Sequence, residues 1–495
     1  MSSEQKQAAA AAATSTETTQ DSLLDKIVEE GRLARDPESK TRGKDMVREF
    51  VAQFLEGNMG LSRDSEAMIN ARIAQIDHLV SIQLNEVMHH PSFQKLEASW
   101  RGLKYLLDHS ETGENMKLKV FNCSKKDLLR DLQRASEFDQ SAMFKKVYEE
   151  EFGIFGGHPF GALIGDYEFT RTPEDMELLE KVSQVAAAAH APFITAANNS
   201  LFNLESFSEL GAPRDLAKIF DTTEYAKWKS FRNSEDSRYV ALTVPHILMR
   251  DPYGKAGRAV DEFDYEEAVD GTDHNKYLWG NAAWALGARI TESFAKYNWC
   301  ATIRGVEGGG KVEGLTVHNF TTDDGDIAMK CPTEVQITDR REKELADLGF
   351  VPLVHCKNTD YAAFFSVQTA QKAKKYDTDS ATANARLATN LSYIMAVSRF
   401  AHYLKAMMRD KIGSFMSRNE CEAFLNRWIG GYVIDSSAPA ETKASHPLSE
   451  ARVDVMEVPG KPGAYRAVAF LKPHFQLDEL TVSMRLVADL PPPAK

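Results

Sequence analysis

Cysteine is scarce. Cys123, Cys300, Cys331, Cys356 and Cys421 are all there are in 495 residues. They form no CxxC pair, which excludes a disulfide framework and a thiolate zinc site, and points to a reducing compartment, the cytoplasm. Basic charge is in deficit too. Lys plus Arg number 59 against 72 Asp plus Glu, a formal net charge of −13. A broad grip on nucleic-acid phosphates needs the opposite balance, so no nucleic acid is expected as a partner. Long apolar runs are absent. A spanning helix needs about 18 apolar residues in a row, and the richest stretch, 185–197, carries His190 and Pro192. No membrane insertion is expected, and residues 1–20 lack the basic-then-apolar order of a secretory signal. HExxH and Gly-x-Ser-x-Gly are missing, and the adjacent His89 and His90 would diverge by about 100° on a helix. Neither a metal, a cofactor nor a catalytic residue is expected.

What is present reads as a mixed α/β chain long enough for about three domains. Residues 1–20 hold six consecutive alanines and then Thr, Ser, Glu and Gln, a low-complexity composition that predicts a disordered tail. An amphipathic island follows at 21–30, where Leu23, Leu24, Ile27 and Val28 share one helical face before Gly31 and Pro37. A helix this short is marginal alone, so it docks either on its own domain or in a partner's groove. From 65, Ile69, Ile73, Ile76, Val80, Leu84 and Val87 recur at helical spacing. After His89-His90-Pro91 a second stripe runs through Phe93, Leu96, Trp100, Leu103 and Leu107, and the two read as a helix pair.

The middle alternates: strand 116–122, helix 125–150, strand 160–164, helix 173–191, strand 192–198, strand 239–248, helix 276–297, and short strands at 353–357 and 362–367. The segment 261–270 carries six carboxylates in ten residues, a solvated face or a dock for a basic partner. The last third predicts helices at 383–412 and 418–429, then strands at 451–458 and 464–471 around Pro459-Gly-Lys-Pro-Gly463. At 481–489, Val482, Met484, Leu486 and Ala488 alternate with Thr481, Ser483, Arg485 and Asp489, a polar set that only Val487 breaks. That strand either closes its own sheet or adds to a neighbour's edge.

One motif invites an enzyme reading. Gly305-Val-Glu-Gly-Gly-Gly-Lys311 fits the glycine and lysine spacing of a phosphate-binding loop, which would make the chain a nucleotide-binding enzyme. The next residue is Val312, not the Ser or Thr that would hold Mg²⁺, and 312–317 reads as turn and strand where a helix is required. A surface loop is the expected outcome.

Several segments together resemble a known family. They are 90–107 (HPSFQKLEASWRGLKYLL), 21–36, 160–167 (FGALIGDY), Pro192-Phe-Ile194, 304–310 (RGVEGGG) and the helix-then-strands C-terminus. The chain is similar to the large sheath subunit of the bacterial type VI secretion system, the TssC/VipB family, over about residues 22–490. The resemblance implies a contractile-sheath-type fold and a non-enzymatic, cytoplasmic role. It implies pairing with a small sheath subunit (TssB/VipA), self-association into a helical polymer around a tube of Hcp, nucleation on a baseplate, and disassembly by the AAA+ ATPase ClpV. By the same resemblance Leu23, Leu24, Ile27 and Val28 become anchors of an ATPase-recognition helix, and Val482, Met484 and Leu486 belong to an inter-subunit strand. The expected organisation is a tail (1–20), a recognition helix (21–36), a helical region (44–112), an α/β body (113–370) and a C-terminal sheath assembly domain (371–495).

Overall fold

Strands made of unbroken apolar runs have no face left for water and must be covered on both sides. The computed structural model describes residues 37–55 and 65–476, except 213, 255–256, 262, 323, 415, 461–463 and 475. It divides into two units, Met1–Leu79 and Val80–Lys495. The first holds the helix Pro37–Leu55 (α1) and the start of Ser65–Met88 (α2).

The second unit is built on a six-stranded sheet. Leu163–Phe169 (β1), Phe193–Ala197 (β2), Val240–Val244 (β3) and Val351–His355 lie parallel. Ala362–Phe364 and then Lys311–Val312 follow antiparallel. Numbering Lys311–Val312 as β4, Val351–His355 as β5 and Ala362–Phe364 as β6, the order is β1-β2-β3-β5-β6-β4. Every residue of β2, β3, β5 and β6 is buried. Successive side chains go to opposite layers. Phe193, Ala197, Val240, Leu242 and Val244 meet the helix Pro173–Ala189. Ile194, Ala241, Val351 and Leu353 meet Ala283–Tyr297 on the other face.

The first of these covering helices starts at Pro173, with Glu174 and Asp175 in its first turn, and stops where His190 takes a left-handed conformation (φ 51°). Asp175 is buried and receives the Thr170 amide (2.7 Å), the Thr170 hydroxyl (2.6 Å) and the Lys125 ammonium. The second is poor in bulk on its inner side. Ala283, Ala285, Gly287 and Ala288 let it lie close, and a Cβ on Gly287 would collide with the Ile164 side chain.

The segment 90–107 docks on this second helix. Pro91–Asp108 (α3) begins with the His90 ring accepting the Ser92 amide at 3.2 Å. Gly102 leaves room for the Trp284 ring, whose Nε1 donates to Asp166 at 3.2 Å. Leu106 is buried with Trp284 and Ala288. Much of the apolar spacing in α2 and α3 stays exposed. Residues Ile69 (48%), Ile73 (50%), Val80 (43%), Val87 (52%), Leu96 (56%) and Trp100 (67%) are all exposed.

Several element boundaries differ from the sequence reading, each for a local reason. Residues 116–122 are extended but join no ladder among the described residues. The helix expected over 125–150 stops at Arg134, because Asp131 turns back to accept the Ala142 and Met143 amides (3.1 and 3.0 Å) and Ser141 caps a new turn. The helix expected from 276 begins at Ala283, where the Asn281 side chain receives its amide at 2.8 Å. The long C-terminal helix is split between Asp379–Leu387 and Leu391–Asp410, the latter capped by Asn390 on the Ser392 amide (3.0 Å).

A valine at Gly102 places branched carbon where even a single Cβ would overlap the Trp284 ring at Nε1. We expect Gly102→Val to cost about 1–3 kcal/mol by overpacking, read as a lowered urea midpoint. An unchanged midpoint would contradict this packing.

Candidate assembly surface

In an open parallel sheet the carboxyl ends of the strands are where ligands bind. Here that position is occupied by side chains of the chain itself. His246, just beyond β3, points Nδ1 at Glu334 (2.5 Å) and Nε2 at Glu168 (3.0 Å), near the end of β1. Asn198, just beyond β2, donates to the second Glu168 oxygen at 2.5 Å, and His274 meets the second Glu334 oxygen at 3.0 Å. Carboxylates only accept, so His246 with both nitrogens facing them is an imidazolium. Burial would lower its pKa, but the hydrogen bonds and charges of Glu168 and Glu334 outweigh that and push it up to about 10. Burial would raise the two carboxyls, yet His246 above all holds both near 2. The ladder is a structural clamp. Sequence reading missed it because its bonded members stand 30 to 88 positions apart, in no motif.

A second clamp fixes α3. Arg250 donates to both oxygens of Glu267 (2.6 and 3.0 Å) and to Glu97 (2.8 Å), while His89 reaches Glu267 at 3.2 Å. The acidic segment 261–270 is thus not wholly a solvated face. Tyr265 and Glu267 turn inward and Asp264, Glu266 and Asp270 outward.

The glycine-rich loop does not make a phosphate cradle. The Gly305 amide donates to Phe364 O (2.7 Å) and the Gly310 amide to Gly305 O (2.8 Å). The first donor ties the loop to β6 and the second closes the loop on itself. Lys311 lies 4.3 Å from the Tyr361 ring centre and pairs with Glu313, and a strand follows where a phosphate loop needs a helix.

The chain's unfinished business is at its C-terminal hairpin. Leu448–Glu457 (β7) and Tyr465–Pro473 (β8) form a two-stranded antiparallel ribbon. A bulge between Leu448 and Glu450 shifts the parity, so Ala451, Val453 and Val455 face inward to Leu425 and Ile429 of the helix Arg418–Gly430. Trp299 stacks on Phe400 in the same cluster, at 4.2 Å, and ties it to the body. The outer edge of β7 is closed. Tyr432 and Ile434 bond Leu448, the Asn426 side chain both donates to Val453 O (2.7 Å) and accepts from Val453 N (2.9 Å), and Glu422 accepts Val455 N (3.2 Å). No strand among the described residues pairs with the other edge of β8. Its neighbourhood is apolar, with Val468 (44%), Phe470 (55%) and Met456 (49%) exposed. Beyond β8 the chain is moored again, as Gln476 donates to Tyr393 Oη (3.1 Å) and Ala301 O (2.9 Å). The recognition-helix residues Leu23, Leu24, Ile27 and Val28 and the strand residues Val482, Met484 and Leu486 lie outside the described residues. Sequence reading found the hairpin and missed what closes one of its edges; a lone Asn and Glu on a helix give no such signal.

Among the described residues no helix is long and apolar enough to cross a membrane. The family model VipB, described as EvpB/VC_A0108, tail sheath N-terminal domain, matches residues 70–371. The model VipB_2, tail sheath gpW/gp25-like domain, matches 380–490. The chain is 51% identical over 449 residues to a Pseudomonas aeruginosa protein named type VI secretion system sheath protein TssC1, covering 90% of each. Looser likenesses exist to a chain of the anti-feeding prophage baseplate (TM-score 0.35, 8% identity, 63% of this chain and 66% of that one). Another is to a chain of the contracted sheath complex of an extracellular contractile injection system, PVC (TM-score 0.33, 9% identity, 62% and 68%). At that distance they carry no argument about this chain.

The His246 clamp makes stability depend on pH with a definite sign. Below about pH 6.5 the imidazole is protonated folded or unfolded, and its contribution is whole. From there towards pH 10 the unfolded chain gives up its proton first and the contribution is lost. The carboxylate contribution is present above about pH 4.3 and fades as pH falls towards 2. Urea unfolding at fixed ionic strength should show wild type losing stability between pH 6.5 and 10 more steeply than His246→Gln. Equal slopes would contradict the clamp.

Proposed function

The chain belongs to the VipB family of type VI secretion tail sheath proteins, and from that membership we propose how it assembles and with what. It is a structural sheath subunit. In our reading it is not an enzyme and works in the cytoplasm. It pairs with the small sheath subunit (TssB/VipA) and polymerises helically around the Hcp tube from a baseplate, and contraction of the polymer drives the tube outward. The observation that carries the reading is the hairpin whose β7 edge is sealed and whose β8 edge pairs with no strand among the described residues. An exposed apolar strand edge on a folded monomer is an invitation to another strand.

The strand we assign to that invitation is 481–489, with Val482, Met484 and Leu486 on its apolar face, donated by a neighbouring copy. Backbone hydrogen bonds along an added strand hold subunits together while their bodies change angle, which a contracting polymer needs. The boundary between the α/β body (113–370) and the assembly domain (371–495) lets the hairpin region act as the joint. The segment 21–30, through Leu23, Leu24, Ile27 and Val28, is in this reading the handle for ClpV.

Co-expression with the small subunit, followed by negative-stain electron microscopy, tests both ends of the chain. Leu486→Asp puts a charge on a face meant to be buried and should abolish tubules while leaving soluble, folded protein. Deleting residues 1–36 should leave tubules that form but resist disassembly by ClpV. Normal tubules from the soluble Leu486→Asp variant would overturn the strand assignment, and loss of tubules on the deletion would overturn the handle.

A further inference from the structure

Three side chains of the helix Leu391–Asp410 reach across to the α/β body. Arg409 donates to the carbonyls of Phe152 and Ile154 (both 2.8 Å), Lys405 donates to Tyr148 Oη (3.0 Å), and His402 Nε2 lies 2.8 Å from Ala189 O. A carbonyl only accepts, so Nε2 carries the proton of His402 and Nδ1 is left as an acceptor. His402 is 3% exposed, and nothing among the described residues hydrogen-bonds that Nδ1. Its surroundings are rings. The Phe152 ring centre is 5.0 Å away, and that of His190, next to Ala189, is 6.1 Å away. His190 is itself committed, with Nδ1 3.1 Å from Tyr239 Oη. The charges acting on both imidazoles are positive. Lys405 Nζ sits 3.5 Å from the centre of the Phe152 ring, and Arg399 lies on the same helix as His402. From the body come neutral groups: the Ala189 carbonyl and the Tyr148 and Tyr239 hydroxyls. Beside Tyr239, Asp236 and Arg238 oppose each other. No carboxylate among the described residues is hydrogen-bonded to either ring.

A second proton on His402 would be a buried donor without an acceptor, on a cation set among other cations. We propose that His402 is an acid-sensitive latch, whose protonation lifts the end of its helix, residues 402–410, off the segment Lys145–Gly153 while the sheet stays folded. The opening is local because the other end of the helix is anchored separately. Leu391 and Met395 are buried with Ile194 and Val351 of the sheet, and Phe400 stacks on Trp299. Burial above all, with Arg399, His190 and Lys405, holds His402 down at about 4, although its bond to Ala189 O pulls the other way. Burial and then Lys405 lower His190 as well. The sign follows. An imidazole released from the seam titrates near 6.5, so the latch is whole above about pH 6.5 and its contribution is lost as pH falls from there towards 4. The helix leads directly into Arg418–Gly430 and the hairpin, so the latch sets how firmly the C-terminal third is held to the body at a given pH.

Amide hydrogen exchange of the full chain at about pH 7.5 and about pH 5 tests the latch, read as protection factors so that the chemical rate cancels. Amides in 402–410 and Lys145–Gly153 should lose roughly thirtyfold in protection between the two conditions, and those of β2 and β3 far less. His402→Gln keeps a donor for Ala189 O and cannot take up a charge, so the folded variant should keep most of that protection at the lower pH. An equal acid loss in the folded variant overturns the proposal. So does wild-type protection in the two segments that does not fall, or that falls no more than in β2 and β3. Should the variant not fold, the wild-type comparison of the seam with β2 and β3 decides alone.

Discussion

A ribbon of two β-strands has two edges, and every backbone amide and carbonyl on them must find a partner or stay in water. In this protein one edge is satisfied from within, by Asn426, Glu422 and the 432–434 backbone, and no strand among the described residues pairs with the other. Much of the C-terminal third serves that asymmetry. The helix Arg418–Gly430 carries both the apolar residues that support β7 and the polar ones that close it. Trp299 and Phe400 bind the helix–hairpin cluster to the body, and Gln476 moors the chain where it leaves. A subunit that sealed both edges would be a better monomer and a poorer building block.

The body is organised to be rigid. Its central strands are buried on both faces, and the crevice that an α/β enzyme keeps open at the strand ends is filled by Glu168, His246, Glu334 and His274. Ion pairs of this kind, half-buried and with Glu168 exposed, are weak sources of stability and hold a geometry more than they deepen a well. The same holds for Arg250, Glu267 and Glu97, which fasten α3 through contacts distant in sequence. For a sheath subunit, whose work is mechanical, a body that transmits force without deforming is the useful property.

Helices and strands with strong periodicity were legible from residues alone: Pro173–Ala189, Phe193–Ala197, Val240–Val244 and the Leu448–Pro473 hairpin all lie close to where apolar spacing puts them. What escaped was decided by side chains acting over distance. Asp131 reaching forward to Ala142 breaks a helix that the pattern continues through. Spacing reports that the apolar residues of α2 and of α3 share a face, not what that face meets, and much of both stripes is exposed. The glycine loop departs from a phosphate loop by a purely local test, since Val312 lacks a hydroxyl and lies in a strand. The clamps could not be found locally at all. The C-terminal hairpin was visible from the 459–463 connection between its strands, whereas the helix side chains that seal one side of it were not.

The central claim is that the free edge of β8 is where a strand from another subunit adds. Amide hydrogen exchange measures this directly, comparing the isolated subunit with the assembled sheath. The account predicts that amides within Tyr465–Pro473 gain strong protection on assembly, while those of β7, already closed by Asn426 and Glu422, change little. Equal protection of β8 in the two states would contradict it.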